Sequence, residues 1–241
     1  MTKIPNNPQD AFVPLTEDYM KVFGKELVSL ILYGSAAGGS YIKGKSDINL
    51  LVVLTQEGMD KLGDSFEIVK YWQKRRVAIP LVMTKNFINS SLDCYPIEFM
   101  NMKNNHTLIY GENVLEKLEF HPESIRLQIE RELKGKLLLL REGYLETQGK
   151  TLALKDLISR SFTAIISIFN ALLYYKQGTA PHERRDTIKE MSKIYKIDED
   201  TFIQCADIKE GNNKISGKDV DDLFNKYVRQ IANICNIVDS L

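Results

Sequence analysis

The chain has 241 residues, of which 44% are hydrophobic and 27% are charged, with 14 glycines and 7 prolines. This composition is that of a folded globular protein and excludes a disordered or collagen-like chain. The 32 basic and 32 acidic residues cancel, so there is no overall positive charge to attract a long nucleic acid.

Four short apolar runs in the first half of the chain predict β-strands. Each is bounded by Gly, Pro, Asp or Ser, and they lie at 27–33, 48–54, 78–83 and 97–100. A helix is predicted between the second and third runs, where helical spacing relates Leu62, Phe66, Val69 and Gln73. The first half is therefore predicted to be a domain with mixed helices and strands.

Beyond about residue 120 the apolar residues recur every three or four positions, which predicts helices. Three apolar stripes, each along one face of a predicted helix, begin at Ile125, Leu154 and Val220. We expect a bundle of four or five helices, with domains at 1–118 and 119–241. The most apolar stretch, 162–175, is shorter than the ~20 residues that span a bilayer, so we expect a buried helix and no membrane span.

The three cysteines indicate a cellular compartment. Cys94, Cys205 and Cys235 are scattered and lack CxxC spacing, which is typical of proteins in a reducing cytosol. The first residues show neither a basic start nor an apolar run, so they do not resemble a signal peptide. We expect a cytoplasmic protein.

The segment from Leu30 to Leu54 carries the residues that suggest chemistry. Its first strand ends at Gly34 and Ser35, where a turn of small residues lets a phosphate approach the backbone. Its second strand opens with Asp47, Ile48 and Asn49, and side chains two positions apart on a strand point the same way. Oxygen ligands at 47 and 49 would suit Mg²⁺ held together with phosphate oxygens.

A third acid, Glu98, lies between apolar neighbours in the predicted fourth strand. A carboxylate in such a position is costly to bury unless it has a partner, such as a metal ion or an acceptor hydroxyl. The strand pattern predicts that Glu98 faces away from the core.

The arrangement of Gly34-Ser35 followed 12 positions later by Asp47-x-Asn49 resembles the DNA polymerase beta superfamily of nucleotidyltransferases. The segments 96–98 and 108–112 resemble the aminoglycoside nucleotidyltransferases, in which a helical domain follows. The resemblance covers residues 27–118. It implies an α+β protein, with an N-terminal mixed-sheet nucleotidyltransferase domain followed by an all-α helical bundle.

The resemblance also implies an activity. A nucleoside monophosphate would pass from a Mg²⁺-bound nucleoside triphosphate, ATP or another, to a hydroxyl of a small-molecule acceptor, releasing pyrophosphate. Asp47 and Glu98 would be catalytic, and both would bind metal together with Asn49. Contacts to the nucleotide would come from Gly34, Ser35, Ser46, Lys45 and Lys155.

One position departs from the family pattern, because Asn49 stands where a second acid is expected. An amide offers a carbonyl oxygen but no negative charge. The alternative is therefore a catalytically impaired nucleotide-binding or regulatory protein with the same fold. A protein or RNA acceptor is disfavoured by the neutral charge.

Overall fold

A computed structural model describes residues 4–39, 41, 43–44, 46–212 and 215–241. The chain divides into two compact units, Met1–Phe120 and His121–Leu241. The division falls between residues 120 and 121, and the sequence predicts it between 118 and 119. Within the described residues, all strands belong to the first unit, so the predicted α+β class is confirmed.

The first unit contains strands and helices that alternate along the chain. In order these are α1 (Phe12–Phe23), β1 (Leu27–Tyr33), β2 (Asn49–Leu54), α2 (Gln56–Met59), α3 (Phe66–Gln73), β3 (Leu81–Thr84), α4 (Lys85–Ser90), α5 (Pro96–Asn104) and β4 (His106–Gly111). Short 3-10 helices precede or follow several of them, including Gly34–Ala36 directly after β1.

The four described strands form one mixed sheet in the order β3-β2-β1-β4. β1 is antiparallel to both β2 and β4, and β2 is parallel to β3. Tyr33, the last residue of β1, pairs with Asn49 on one side and with His106 on the other. The ends of three strands therefore meet where β1 enters the Gly34–Ala36 turn.

Both central strands are apolar on both faces because helices cover each side of the sheet. Leu30 and Leu32 belong to a core that includes Leu15 and Tyr19 of α1. Ile31, which points to the opposite face, packs in a second core with Phe99 and Met102 of α5. This double burial explains the continuous apolar runs of β1 and β2, which the sequence identifies as strands.

The prediction of a strand at 97–100 is wrong, because this segment lies in helix α5. Pro96 occupies the first turn of α5, where a proline is favoured since its missing N–H needs no partner there. A run of four apolar-rich residues does not by itself distinguish a strand from a buried helix. The fourth strand of the sheet is instead β4, a segment in which the apolar pattern predicts no strand.

Two other predicted elements begin later than expected. β3 starts at Leu81 and not at Ala78, and the proline at position 80 cannot donate a ladder hydrogen bond. The predicted helix from Leu62 begins as a 3-10 turn over Leu62–Ser65, and α3 proper follows. In both cases the element exists where predicted and only its boundary differs.

The second unit consists of helices in its described residues. These are α6 (Pro122–Thr147), α7 (Thr151–Gln177), α8 (Arg184–Tyr195), α9 (Glu199–Glu210) and α10 (Gly217–Asp239). The five helices agree with the expected four or five. The apolar stripes predicted for α6, α7 and α10 are buried, for example at Ile129, Phe162 and Tyr227.

Helix α7 is the central helix of this bundle. By length and composition alone it would also fit a membrane span, at 27 residues, but 56% of its most apolar window is buried inside the protein. The helix is longer than the apolar run that predicts it, because its polar ends also remain helical. Its buried Asn170 accepts a hydrogen bond of 2.8 Å from the hydroxyl of Thr187 on α8.

We expect Thr187→Val to lower the free energy of unfolding by about 1 kcal/mol, because the Asn170 side-chain oxygen then loses its buried donor. Chemical denaturation followed by circular dichroism measures the change. The double variant Asn170→Leu/Thr187→Val removes both partners and should recover part of the loss. A single variant as stable as the wild type would contradict the assignment of this bond as stabilising.

Candidate nucleotide site

The backbone turn after β1 is built around Gly34. Its φ of +78° lies in the left-handed region, which glycine enters without steric cost. The Gly34 amide donates to the carbonyl of Asn105 at 2.9 Å, and the Gly34 carbonyl accepts from Ala37 and Gly38. A β-carbon at Gly34 would lie 3.3 Å from the Asn49 side-chain nitrogen. The turn therefore presents bare backbone directly beside Asn49.

The predicted phosphate contacts lie partly at this turn. Ser35 is exposed in the 3-10 helix, and Ser46 is half-buried before β2. Lys45 lies outside the described residues. Lys155 is in the second unit, where its ammonium donates to the carbonyl of Ile215 at 3.0 Å, so it holds the segment before α10.

Asp47 and Asn49 stand at the entrance of β2, as the sequence predicts. Asn49 is the first residue of β2 and pairs with Tyr33. The Asp47 side chain is 57% exposed and accepts from the guanidinium of Arg76, with 3.3 Å between Nη1 and Oδ1. The other terminal nitrogen of Arg76 donates to the carbonyl of Gly44. The carboxylate predicted to bind metal is thus already paired with a cation.

The backbone holds Arg76 opposite Asp47, because the neighbouring residues Ile48 and Val77 form a parallel bridge. The Arg76 carbonyl accepts from the amide of Ile48 at 2.9 Å, and the amide of Ala78 donates to the Ile48 carbonyl at 2.9 Å. These bonds anchor the base of the Arg76 side chain next to the strand entrance.

The Tyr41 side chain is close enough to Arg76 and Asp47 to be affected by their charges. Burial raises the pKa of its hydroxyl above the ordinary value, Arg76 opposes the shift, and the carboxylates of Asp10 and Asp47 add to it. The same hydroxyl donates to the carbonyl of Pro5 at 3.2 Å. Arg76 and Asp47 therefore both act electrostatically on the segment that follows the turn.

Glu98 does not occupy the position that the sequence predicts. It is exposed in the first turn of α5, so the strand alternation that would direct it toward Asp47 does not apply. Its predicted orientation rests on the wrong assignment of a strand. Its roles as metal ligand and base remain predictions.

The described residues do not meet the requirements of a two-metal centre. Asp47 is paired with Arg76, and Asn49 is neutral. The segment beside the start of β2 adds Ala78, Ile79 and Pro80, none of which has a side-chain oxygen. No group of three Asp, Glu, His or Cys side chains suited to a metal occurs in the parts of the chain that the structure describes. Two divalent cations need more negative charge than this set supplies.

No family model and no curated protein sequence matches the chain. Among solved structures, a crystal structure of spectinomycin adenyltransferase AAD(9) from Enterococcus faecialis with ATP and spectinomycin is similar. The TM-score is 0.56 at 12% sequence identity, and the match covers 94% of this chain and 100% of that chain. At this identity the similarity shows the fold alone, and the predicted mixed-sheet domain followed by a helical bundle is confirmed.

Proposed function

We propose that this protein binds a nucleoside triphosphate at the turn after β1, and that it acts by binding the nucleotide without two-metal nucleotidyl transfer. The observation that carries the proposal is the Asp47–Arg76 ion pair at the entrance of β2, two residues before the Asn49 side chain that borders Gly34. The turn retains the features that suit a phosphate, whereas the described residues at the entrance of β2 supply one carboxylate, Asp47, which is paired with Arg76.

The turn supports phosphate binding through its backbone and its hydroxyl. Gly34 has no side chain that could block an approaching phosphate. A larger residue at position 34 would press against the Asn49 side chain. Ser35 places a hydroxyl on the exposed side of the same turn, where it can donate to a phosphate oxygen. ATP is the first ligand to test because the similar adenyltransferase is described with ATP.

A second candidate function is transfer of the nucleoside monophosphate to a hydroxyl of a small molecule. The observation that favours it is the fold shared with an adenyltransferase whose structure contains ATP and spectinomycin. In that case Asp47 would hold Mg²⁺ and Glu98 would serve as base, which are the roles that the resemblance implies. Long nucleic acids are disfavoured as acceptors by the balanced charge.

Calorimetry with each common nucleoside triphosphate tests the leading proposal, and pyrophosphate release with a panel of hydroxylated small molecules tests the second. We expect heat of binding and no pyrophosphate release above the background. Sustained release that depends on an acceptor would overturn the leading proposal in favour of the second. No heat with any triphosphate would overturn nucleotide binding at this turn.

A matched pair of glycine variants tests whether the phosphates bind at Gly34. Gly34→Ala should weaken ATP binding about fivefold, equivalent to about 1 kcal/mol, because the new methyl group pushes against Asn49 and the left-handed backbone is strained. Gly39 has a similar φ of +82° but open space around its α-carbon. Gly39→Ala therefore carries the same backbone strain and should change the affinity less than about twofold. Equal losses in both variants would contradict a phosphate site at Gly34.

A further inference from the structure

Arg76 lies beside Asp47, the residue that the family resemblance implies as a metal ligand. We propose that the Arg76 guanidinium replaces the metal ion, so that the site binds the triphosphate directly and needs no divalent cation. The inference rests on the proposed nucleotide binding and adds the residue that recognises the phosphates. It is carried by the ion pair, by the exposure of the Arg76 side chain and by the charge of the site.

The guanidinium is held from two sides at the entrance of β2. Asp47 and the Gly44 carbonyl each accept one of its hydrogen bonds. A guanidinium has five N–H donors, so these two bonds leave donors for phosphate oxygens. The Arg76 side chain is 42% exposed, which leaves the group accessible to a ligand.

The backbone conformation of Arg76 is unusual for its residue type. Its φ is +67°, and it lies just past α3 at the position that ends many helices. The Arg76 amide donates to Gln73 and the Val77 amide donates to Trp72, which is the hydrogen-bond pattern of a Schellman motif. Glycine is preferred at this position, and an L-residue there costs about 1 kcal/mol or more. Gln148 and Lys196 adopt the same backbone conformation at the ends of α6 and α8, so the ion pair with Asp47, and not the strain, distinguishes Arg76.

The charge of the site favours a guanidinium over metal ions. With Asp47 paired to Arg76 and a neutral Asn49, these three side chains carry no net charge. Two Mg²⁺ ions would meet no excess of negative charge, whereas a triphosphate would meet the N–H donors that Arg76 does not use in the pair. Arginine binds phosphate through two parallel N–H···O bonds, with a geometry that a lysine ammonium cannot reproduce.

Calorimetry with ATP in excess EDTA and in excess Mg²⁺ tests the inference on the full chain. We expect the two affinities to agree within about threefold. Arg76→Gly should weaken binding in EDTA about tenfold, which corresponds to about 1.4 kcal/mol. Because glycine relieves the strained backbone, this variant should melt at or above the wild-type temperature, so a loss of affinity cannot be attributed to unfolding.

Arg75→Ala is the matched control, since it removes the same charge from the neighbouring residue. The Arg75 guanidinium stacks over the Tyr71 ring, 3.4 Å from its centroid, and donates to the Tyr71 carbonyl. Its replacement should leave the affinity in EDTA within about twofold of the wild type.

Three results would overturn the inference, and they are distinguishable. Binding in Mg²⁺ but not in EDTA would show that a metal ion is required, while nucleotide binding itself would stand. An affinity in EDTA that Arg76→Gly leaves unchanged would show that Arg76 only braces the segment around Gly44. No heat with ATP in either buffer would overturn the proposed function together with the inference.

Discussion

Replacing Gly111 by alanine is expected to lower the free energy of unfolding of the first unit by about 2–5 kcal/mol. Gly111 ends β4 with a φ of +79°, and a β-carbon there would lie 2.0 Å from the carbonyl oxygen of Val28. That oxygen belongs to the backbone of β1 and accepts from the amide of Glu112. A methyl group would therefore have to separate β4 from β1, and no side-chain movement relieves the clash.

The fluorescence of Trp72, the one tryptophan of the chain, measures this effect. Trp72 is buried in the core between the sheet and α1, so chemical denaturation followed by its emission reports on the first unit. Gly63→Ala is the control, because a β-carbon there meets only the edge of the Phe66 ring at 4.0 Å. The control should stay within about 0.5 kcal/mol of the wild type. A Gly111→Ala protein as stable as the control would contradict the close approach of the two strands.

The sequence predicts β1, β2 and the long helices because their patterns are local and repeated. β1 and β2 are uninterrupted apolar runs, and α6, α7 and α10 show several turns of helical period. Such signals do not depend on distant parts of the chain. The turn at Gly34 is also predictable, since a glycine and small residues between two strands indicate a sharp backbone path.

The position of Glu98 illustrates what a short segment cannot reveal. The run 97–100 has apolar residues on both sides of a single acid, a pattern compatible with a strand and with the first turn of a helix. The choice is made by Phe99 and Met102, which pack against Ile31 on the sheet only when the segment is helical. Tertiary packing therefore decides this element, and the predicted direction of the carboxylate fails with it.

Arg76 shows why the site itself is only partly predictable. The pair with Asp47 joins residues 29 positions apart, and it depends on the left-handed turn after α3. Two consecutive arginines after a helix suggest an ordinary solvated helix end. The signal that identifies Arg76 is its ion pair with Asp47, which becomes visible only in the folded structure.

We expect Asp47→Asn to strengthen ATP binding in EDTA about thirtyfold, equivalent to about 2 kcal/mol. In the wild type the Asp47 carboxylate lies 3.3 Å from the Arg76 guanidinium and competes with phosphate for it. The variant keeps a side-chain oxygen for the hydrogen bond but removes a negative charge beside a polyanion. A unit charge about 4 Å away contributes about 1 kcal/mol in bulk water and several times more at a partly buried surface.

Asp47→Asn distinguishes binding of the triphosphate through a metal ion from binding through Arg76, because the two models predict opposite changes in ATP affinity. If Asp47 holds a metal ion, Asp47→Asn weakens binding in Mg²⁺ and leaves no binding in EDTA to strengthen, because an amide has no charge for the cation. If Arg76 binds the phosphates, the same variant binds ATP more tightly, and the gain disappears when Arg76→Gly is added. Calorimetry of the two single variants and the double variant, in both buffers, measures the coupling energy between Asp47 and Arg76. Weaker binding by Asp47→Asn in EDTA would show that the carboxylate is needed to orient the guanidinium, and that its repulsion of the phosphates is the smaller effect.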